Sequence, residues 1–212
     1  MLYRLLYTIL WPVIALILLW SGGIKIEGRE NVPRKGGLLI TPNHRSDSDP
    51  LVLGFSLPRS CWGFAKSELF EGKFLAWMIR GLQGMPIKRY TADHAALRRG
   101  ERILESGEAL IIFPEGQLTE DGKTQPFLPG ALLLARSTGV PILPTALIHT
   151  DLVVPYGKTL PQRARKTVIV KFGTPVLFEE LAEGRTGKAA LLHGAAKLRE
   201  IVNCMYESGL GE

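Results

Sequence analysis

The chain has 212 residues, 46% hydrophobic and 22% charged, a length that suits one compact domain with an appendage and a composition that excludes a disordered chain. Two cysteines far apart in sequence, Cys61 and Cys204, exclude a disulfide framework and match no metal-ligand spacing, so they read as reduced thiols. The net charge of +6 points to an anionic partner, and nucleic acid, an anionic membrane and a phosphorylated small molecule all qualify.

From Leu5 to Ile24 run twenty residues without a charge, the length of a membrane helix, with Pro12 placed to kink it. Arg4 ahead of an apolar centre fits a cleaved signal, but Trp20-Ser21-Gly22 is a poor small-residue cleavage site. The expectation is an uncleaved membrane-anchoring segment over residues 1–24, as a span or as a kinked helix in one leaflet, and a domain over 25–212. Lys25, Arg29, Arg34 and Lys35 follow this segment and one arginine precedes it. The positive-inside rule then expects the domain on the cytoplasmic side of the cytoplasmic membrane.

Beyond residue 24, short apolar runs alternate with helical patterns, the mark of an α/β domain. Strands are expected at Gly37–Thr41, Trp62–Ala65, Ala109–Phe113, Pro141–Ile148 and Thr167–Phe172. Several are apolar on both faces, as buried parallel strands are. Helices are expected at Pro50–Ser56, Lys73–Leu82, Ala92–Glu105, Ala131–Ser137 and Thr186–Tyr206. In the last of these, Leu191, Ala195, Leu198, Val202 and Met205 form one stripe that reads as core packing. The basic stretch 162–166 reads as a solvated surface hairpin within reach of lipid headgroups.

Chemistry concentrates in the polar run from Thr41 to Pro50, between an expected strand and an expected helix, where α/β folds place active sites. His44 can serve as a general base near neutral pH. Asp49 lies five residues on, so an extended chain would hold the two roughly 17 Å apart and the segment must turn for them to meet. Asp49 ahead of Pro50 also reads as a helix cap, and Asp47 is a rival partner at closer spacing. Phe113-Pro-Glu-Gly116 follows an expected strand and sets Glu115 beside a glycine that lets backbone approach a ligand. Gly84-Met-Pro-Ile-Lys-Arg89 ends in two cations, and an arginine fork suits a phosphate. The run from Gly116 to Thr124 imitates a phosphate-binding loop but has one residue too many between its glycines.

Asn43-His44…Asp49, Gly84…Lys88-Arg89, Phe113-Pro-Glu-Gly116 and Val140-Pro-Ile-Leu-Pro144, in that order and spacing, resemble the lysophosphatidic-acid acyltransferase family of the glycerolipid acyltransferase superfamily. The resemblance covers roughly residues 35 to 150. It implies an α/β fold with a mostly parallel central sheet flanked by helices, and acyl transfer to the sn-2 hydroxyl of a lysophospholipid. The implied donor is acyl-CoA or acyl carrier protein, with no metal, no other cofactor and no nucleic-acid partner. By position, His44 becomes the general base and Asp49 its orienting carboxylate. Lys88 and Arg89 fall in a block tied to the acceptor phosphate, Glu115 and Gly116 in an acceptor-binding block, and Asn43, beside the base, counts with them as substrate-binding. Pro141 falls in the fourth block of the resemblance. Where many members continue the third block with Thr-Arg, this chain has Gln117-Leu118, and Leu128-Pro129-Gly130 stands where a Lys-Lys-Gly is frequent. These departures bear on the acceptor more than on the reaction, leaving another lysolipid, or lipid binding without turnover, as alternatives.

Overall fold

The computed structural model describes residues 2–88, 93–118, 124–158 and 160–211, with residues 2–8 described by their backbone alone. The helices are α1 (Leu2–Ser21), α2 (Asp49–Ser56), α3 (Lys73–Gly81), α4 (His94–Glu105), α5 (Gly130–Thr138), α6 (Thr150–Val153), α7 (Phe178–Ala182) and α8 (Gly187–Leu210). The strands are β1 (Ile24–Glu27), β2 (Leu38–Pro42), β3 (Cys61–Lys66), β4 (Gly84–Ile87), β5 (Ala109–Ile111), β6 (Ile142–Ile148) and β7 (Val168–Phe172). They form one sheet in the order β1-β7-β6-β2-β5-β3-β4. All neighbours run parallel except β6 and β7, which are antiparallel.

The central strands are buried on both faces, and alternate residues feed different cores. Leu38 and Ile40 of β2 point into a cluster with Ile14 and Leu18 of α1 and Val52 and Leu53 of α2. Leu39, between them, joins Leu104 of α4, Leu132 and Leu134 of α5, and Ala195, Leu198 and Val202 of α8 on the other face. The α8 stripe is therefore core, as its period requires. The period-two alternation of a strand thus divides the molecule into three layers, helix, sheet and helix.

Two strands escape the sequence pattern. β1 and β4 are the outer members of the sheet, short and only partly buried. β4 carries Pro86, which an edge strand tolerates because it needs no ladder donor on its free side.

The helix expected at the amino terminus is present and runs through Pro12. Among the described residues, however, no helix is long and apolar enough to cross a membrane. Instead α1 lies beside α2 and α3 with Ile14 and Leu18 buried. Its opposite face exposes Ile9, Val13, Leu16, Leu19 and Trp20.

The topology fixes where chemistry can occur. From β2 the chain passes over β5 to β3 by way of α2. From β5 it passes β2 on the other face, by way of α5, to β6. Departure in opposite directions from neighbouring strands opens a crevice at their carboxyl ends, where open α/β sheets hold their ligands.

Candidate active site

His44 stands in that crevice, just past the end of β2. The loop after Pro42 stays close to β6 because the Asn43 side chain extends the ladder. Its Nδ2 donates to Leu147 O at 2.9 Å and its Oδ1 accepts from Leu147 N at 2.7 Å. Asn43 is fully buried. With one Nδ2 hydrogen and Oδ1 engaged by Leu147, it positions the loop, and the second Nδ2 hydrogen takes no part in these two bonds.

The next residues turn back sharply. Asp49 Oδ2 accepts from the backbone N–H of Arg45 at 2.6 Å and of Ser46 at 2.8 Å, and lies 2.9 Å from His44 Nδ1. Asp49 is therefore no helix cap. Ser48 holds the cap position of α2, and the Asp49 carboxylate points back into the preceding loop. Asp47, the rival partner, is exposed. Ser46 Oγ secures the turn by donating to Val154 O at 2.8 Å.

A carboxylate oxygen offers only lone pairs, so the imidazole nitrogen facing it carries the hydrogen. Nε2 is then the basic nitrogen. It meets no hydrogen-bond partner among the described residues, and the ring keeps a small opening to solvent. The imidazole also stacks on Phe113, with ring centres 4.0 Å apart and planes at 28°. Asp49 and Phe113 together fix tautomer and ring plane.

Glu115 comes from the loop after β5 and is as buried as His44. Its Oε1 accepts from His44 N at 2.7 Å and its Oε2 from Gln125 N at 2.7 Å. Burial pushes its carboxyl above the usual range, while the N–H groups of Gln125 and His44 and the charges of His44 and Arg45 pull it back. Glu115 is thus a strut joining two loops through their backbones. Gly116 takes a φ of 75°, a conformation that favours glycine, while the nearest atom to a Cβ there, Leu128 Cδ1 at 2.9 Å, ends an exposed side chain that can move aside.

Lys88 is exposed at the end of β4, on the same rim. Its strand is three places from β2, roughly 14 Å along the sheet. Lys88 therefore does not join the cluster around His44, and Arg89 lies outside the described residues. Pro141 sits at the opposite end of β6, where its carbonyl accepts from Leu39 N at 3.0 Å. Among the described residues no group of three or more His, Cys, Asp and Glu is placed to hold a metal. Missed in the sequence were Arg45, whose guanidinium carbon stands 4.5 Å from the centre of the Tyr206 ring, and Ser46. Their only signal was position inside the His44–Asp49 turn.

A buried imidazole–carboxylate pair at the switch point of a mostly parallel sheet is the setting in which relatives become informative. The sequence model of the family described as Acyltransferase matches residues 23–148. This chain belongs to the acyltransferase family. The acyltransferase is 28% identical over 142 residues to the 1-acyl-sn-glycerol-3-phosphate acyltransferase of Bacillus subtilis, a match covering 66% of this chain and 70% of that protein. It is 31% identical over 139 residues to the enzyme of the same name from Borreliella burgdorferi, covering 64% of this chain and 56% of the relative. The crystal structure of the 1-acyl-sn-glycerophosphate (LPA) acyltransferase of Thermotoga maritima superposes with a TM-score of 0.71 at 27% identity, covering 91% of this acyltransferase and 75% of that chain.

Proposed function

We propose that this acyltransferase moves a fatty acyl group from a thioester to the sn-2 hydroxyl of lysophosphatidic acid, giving phosphatidic acid. The observation that carries the reading is the 2.9 Å contact between His44 Nδ1 and Asp49 Oδ2, which in the neutral ring places the hydrogen on Nδ1 and leaves Nε2, with no hydrogen-bond partner among the described residues, as the acceptor. The relatives, named 1-acyl-sn-glycerol-3-phosphate acyltransferases, support this acceptor.

In the mechanism the acceptor hydroxyl donates to His44 Nε2. As its oxygen attacks the thioester carbonyl, Nε2 takes the proton, and Asp49 balances the imidazolium that forms. The tetrahedral intermediate collapses, the carbon–sulfur bond breaks, and the imidazolium returns the proton to the departing thiolate. No covalent acyl-enzyme is needed. The donor is acyl-CoA or acyl carrier protein, acting as co-substrate.

The acyltransferase works at a membrane surface in this reading. The apolar outer face of α1, with Trp20 at its carboxyl end, supports association with one leaflet. The cations after it favour the cytoplasmic side of the cytoplasmic membrane. Lys88 adds positive charge to the rim.

The test is transfer of a labelled acyl group by the purified protein in detergent or vesicles, with acyl-CoA and with acyl carrier protein as donors, across a panel of lysolipids. Product with lysophosphatidic acid, abolished by His44→Ala, supports the proposal. Product only with another lysolipid moves the acceptor, and free fatty acid without dependence on a lysolipid makes the protein a thioesterase. No product from any pair leaves a lipid-binding protein.

A further inference from the structure

Arg45 follows the catalytic imidazole in the chain and is fixed at both ends. Its backbone N–H is bound by Asp49 Oδ2 at 2.6 Å, and its guanidinium carbon rests 4.5 Å from the centre of the Tyr206 ring on α8. The side chain is half-buried, its Nε is buried without an acceptor, and among the described residues no carboxylate pairs with it. An arginine held against an aromatic ring has lost much of its rotamer freedom before any ligand arrives.

This placement matters because of the size of the proposed acceptor. Four bonds join the sn-2 oxygen of a lysophosphatidic acid to its phosphorus, a reach of about 5 Å. With the hydroxyl on His44 Nε2, the phosphate falls in the neighbourhood of that imidazole. Lys88 begins three strands away. Arg45 shares the carboxylate that orients His44, and its charge is felt at Glu115, the residue that holds the His44 backbone.

We propose that Arg45, presented on the Tyr206 ring, binds the phosphate of the acceptor beside His44 and so selects a phosphorylated lysolipid over a neutral one. The proposal rests on the acyl-transfer reading and deepens it. A guanidinium fork meets two phosphate oxygens at once, which an ammonium does not.

The experiment compares kcat/KM for lysophosphatidic acid with that for the monoacylglycerol of the same chain. Arg45→Ala should lower this ratio by about tenfold to a hundredfold. Arg45→Lys should recover part of it. Tyr206→Leu should lower the ratio less than Arg45→Ala does, and Tyr206→Phe, which keeps the ring, should retain it. An unchanged ratio in Arg45→Ala overturns the proposal. So does a rise in KM for acyl-CoA at constant acceptor KM, which would assign Arg45 to the phosphates of the donor. Equilibrium binding in detergent micelles separates this result from the fate of the reaction. His44→Ala should bind lysophosphatidic acid at least tenfold more tightly than monoacylglycerol, and the double variant with Arg45→Ala should lose that preference. If the unaltered protein acylates neither acceptor, the reaction fails while the binding comparison still decides Arg45, and equal preference in the two variants overturns it.

Discussion

Asp49 uses its two oxygens unequally. Oδ2 faces His44 Nδ1 and the N–H groups of Arg45 and Ser46, whereas Oδ1 is buried without a hydrogen-bond partner. Structural and catalytic duties therefore fall on one atom. In Asp49→Asn the amide oxygen can still accept from the backbone, but the charge that balances the imidazolium is gone. Turnover should fall by about 10³–10⁴ with little change in the thermal midpoint, as steady-state assays and a melting curve would show; a variant that unfolds instead would make the contact structural. The Glu115 carboxyl, raised by burial, holds its proton more readily when folded than when unfolded. Stability should therefore fall as pH rises from near its ordinary value of 4.5 through the raised one. Glu115→Gln should flatten that fall, and identical urea midpoints against pH for both proteins would contradict it. Burial also pushes the Cys61 thiol up to about 12, ahead of the opposing effect of Arg59, while Cys204 is exposed. An aromatic disulfide reagent at pH 8 should label Cys204 in the native protein and both thiols only in denaturant.

At the scale of elements, the sequence reveals what is locally coded. The buried strands β2, β5 and β6 show as apolar runs, and α4 shows as a helical pattern, although its cap went unnoticed: the Asp93 side chain accepts from Ala96 N at 2.9 Å. The edge strands β1 and β4 are poor in such signal because only part of their surface is buried. The site divides the same way. The His44–Asp49 turn is legible because both partners lie in one segment. The backbone partners of Asn43 and Glu115 were not legible because they lie 104 and 71 residues away, across strand pairings that no local pattern encodes. Gly84 is a further case. It was expected to lead into a pair of cations, but its bare Cα also admits α3, since a Cβ there would meet Ile79 Cγ2 at 2.4 Å and Ile79 O at 2.9 Å. Gly84→Ala should cost about 1–3 kcal/mol of stability by overpacking, measurable by chemical denaturation, and a neutral result would mean that β4 yields at the sheet edge.

Over the whole molecule, α1 is part of the fold as well as an apolar surface. Leu18 is 1% exposed and shares a core with Leu53 of α2 and Val170 of β7. Leu18→Ala should lower unfolding free energy by about 2–5 kcal/mol. If the unfolding transition did not move, α1 would be a detachable tail. The pairing next to it has a bearing on synthesis. Ile24 to Glu27 find their strand partner in Val168 to Lys171. On the ribosome, where translation proceeds at about 5–20 residues per second, the head of the chain emerges many seconds before the strand that will receive it. During that interval the oily helix has α2 and α3 to settle on but not the strand that completes its core. The order in which this polypeptide is made thus leaves the core around α1 open until β7 has emerged.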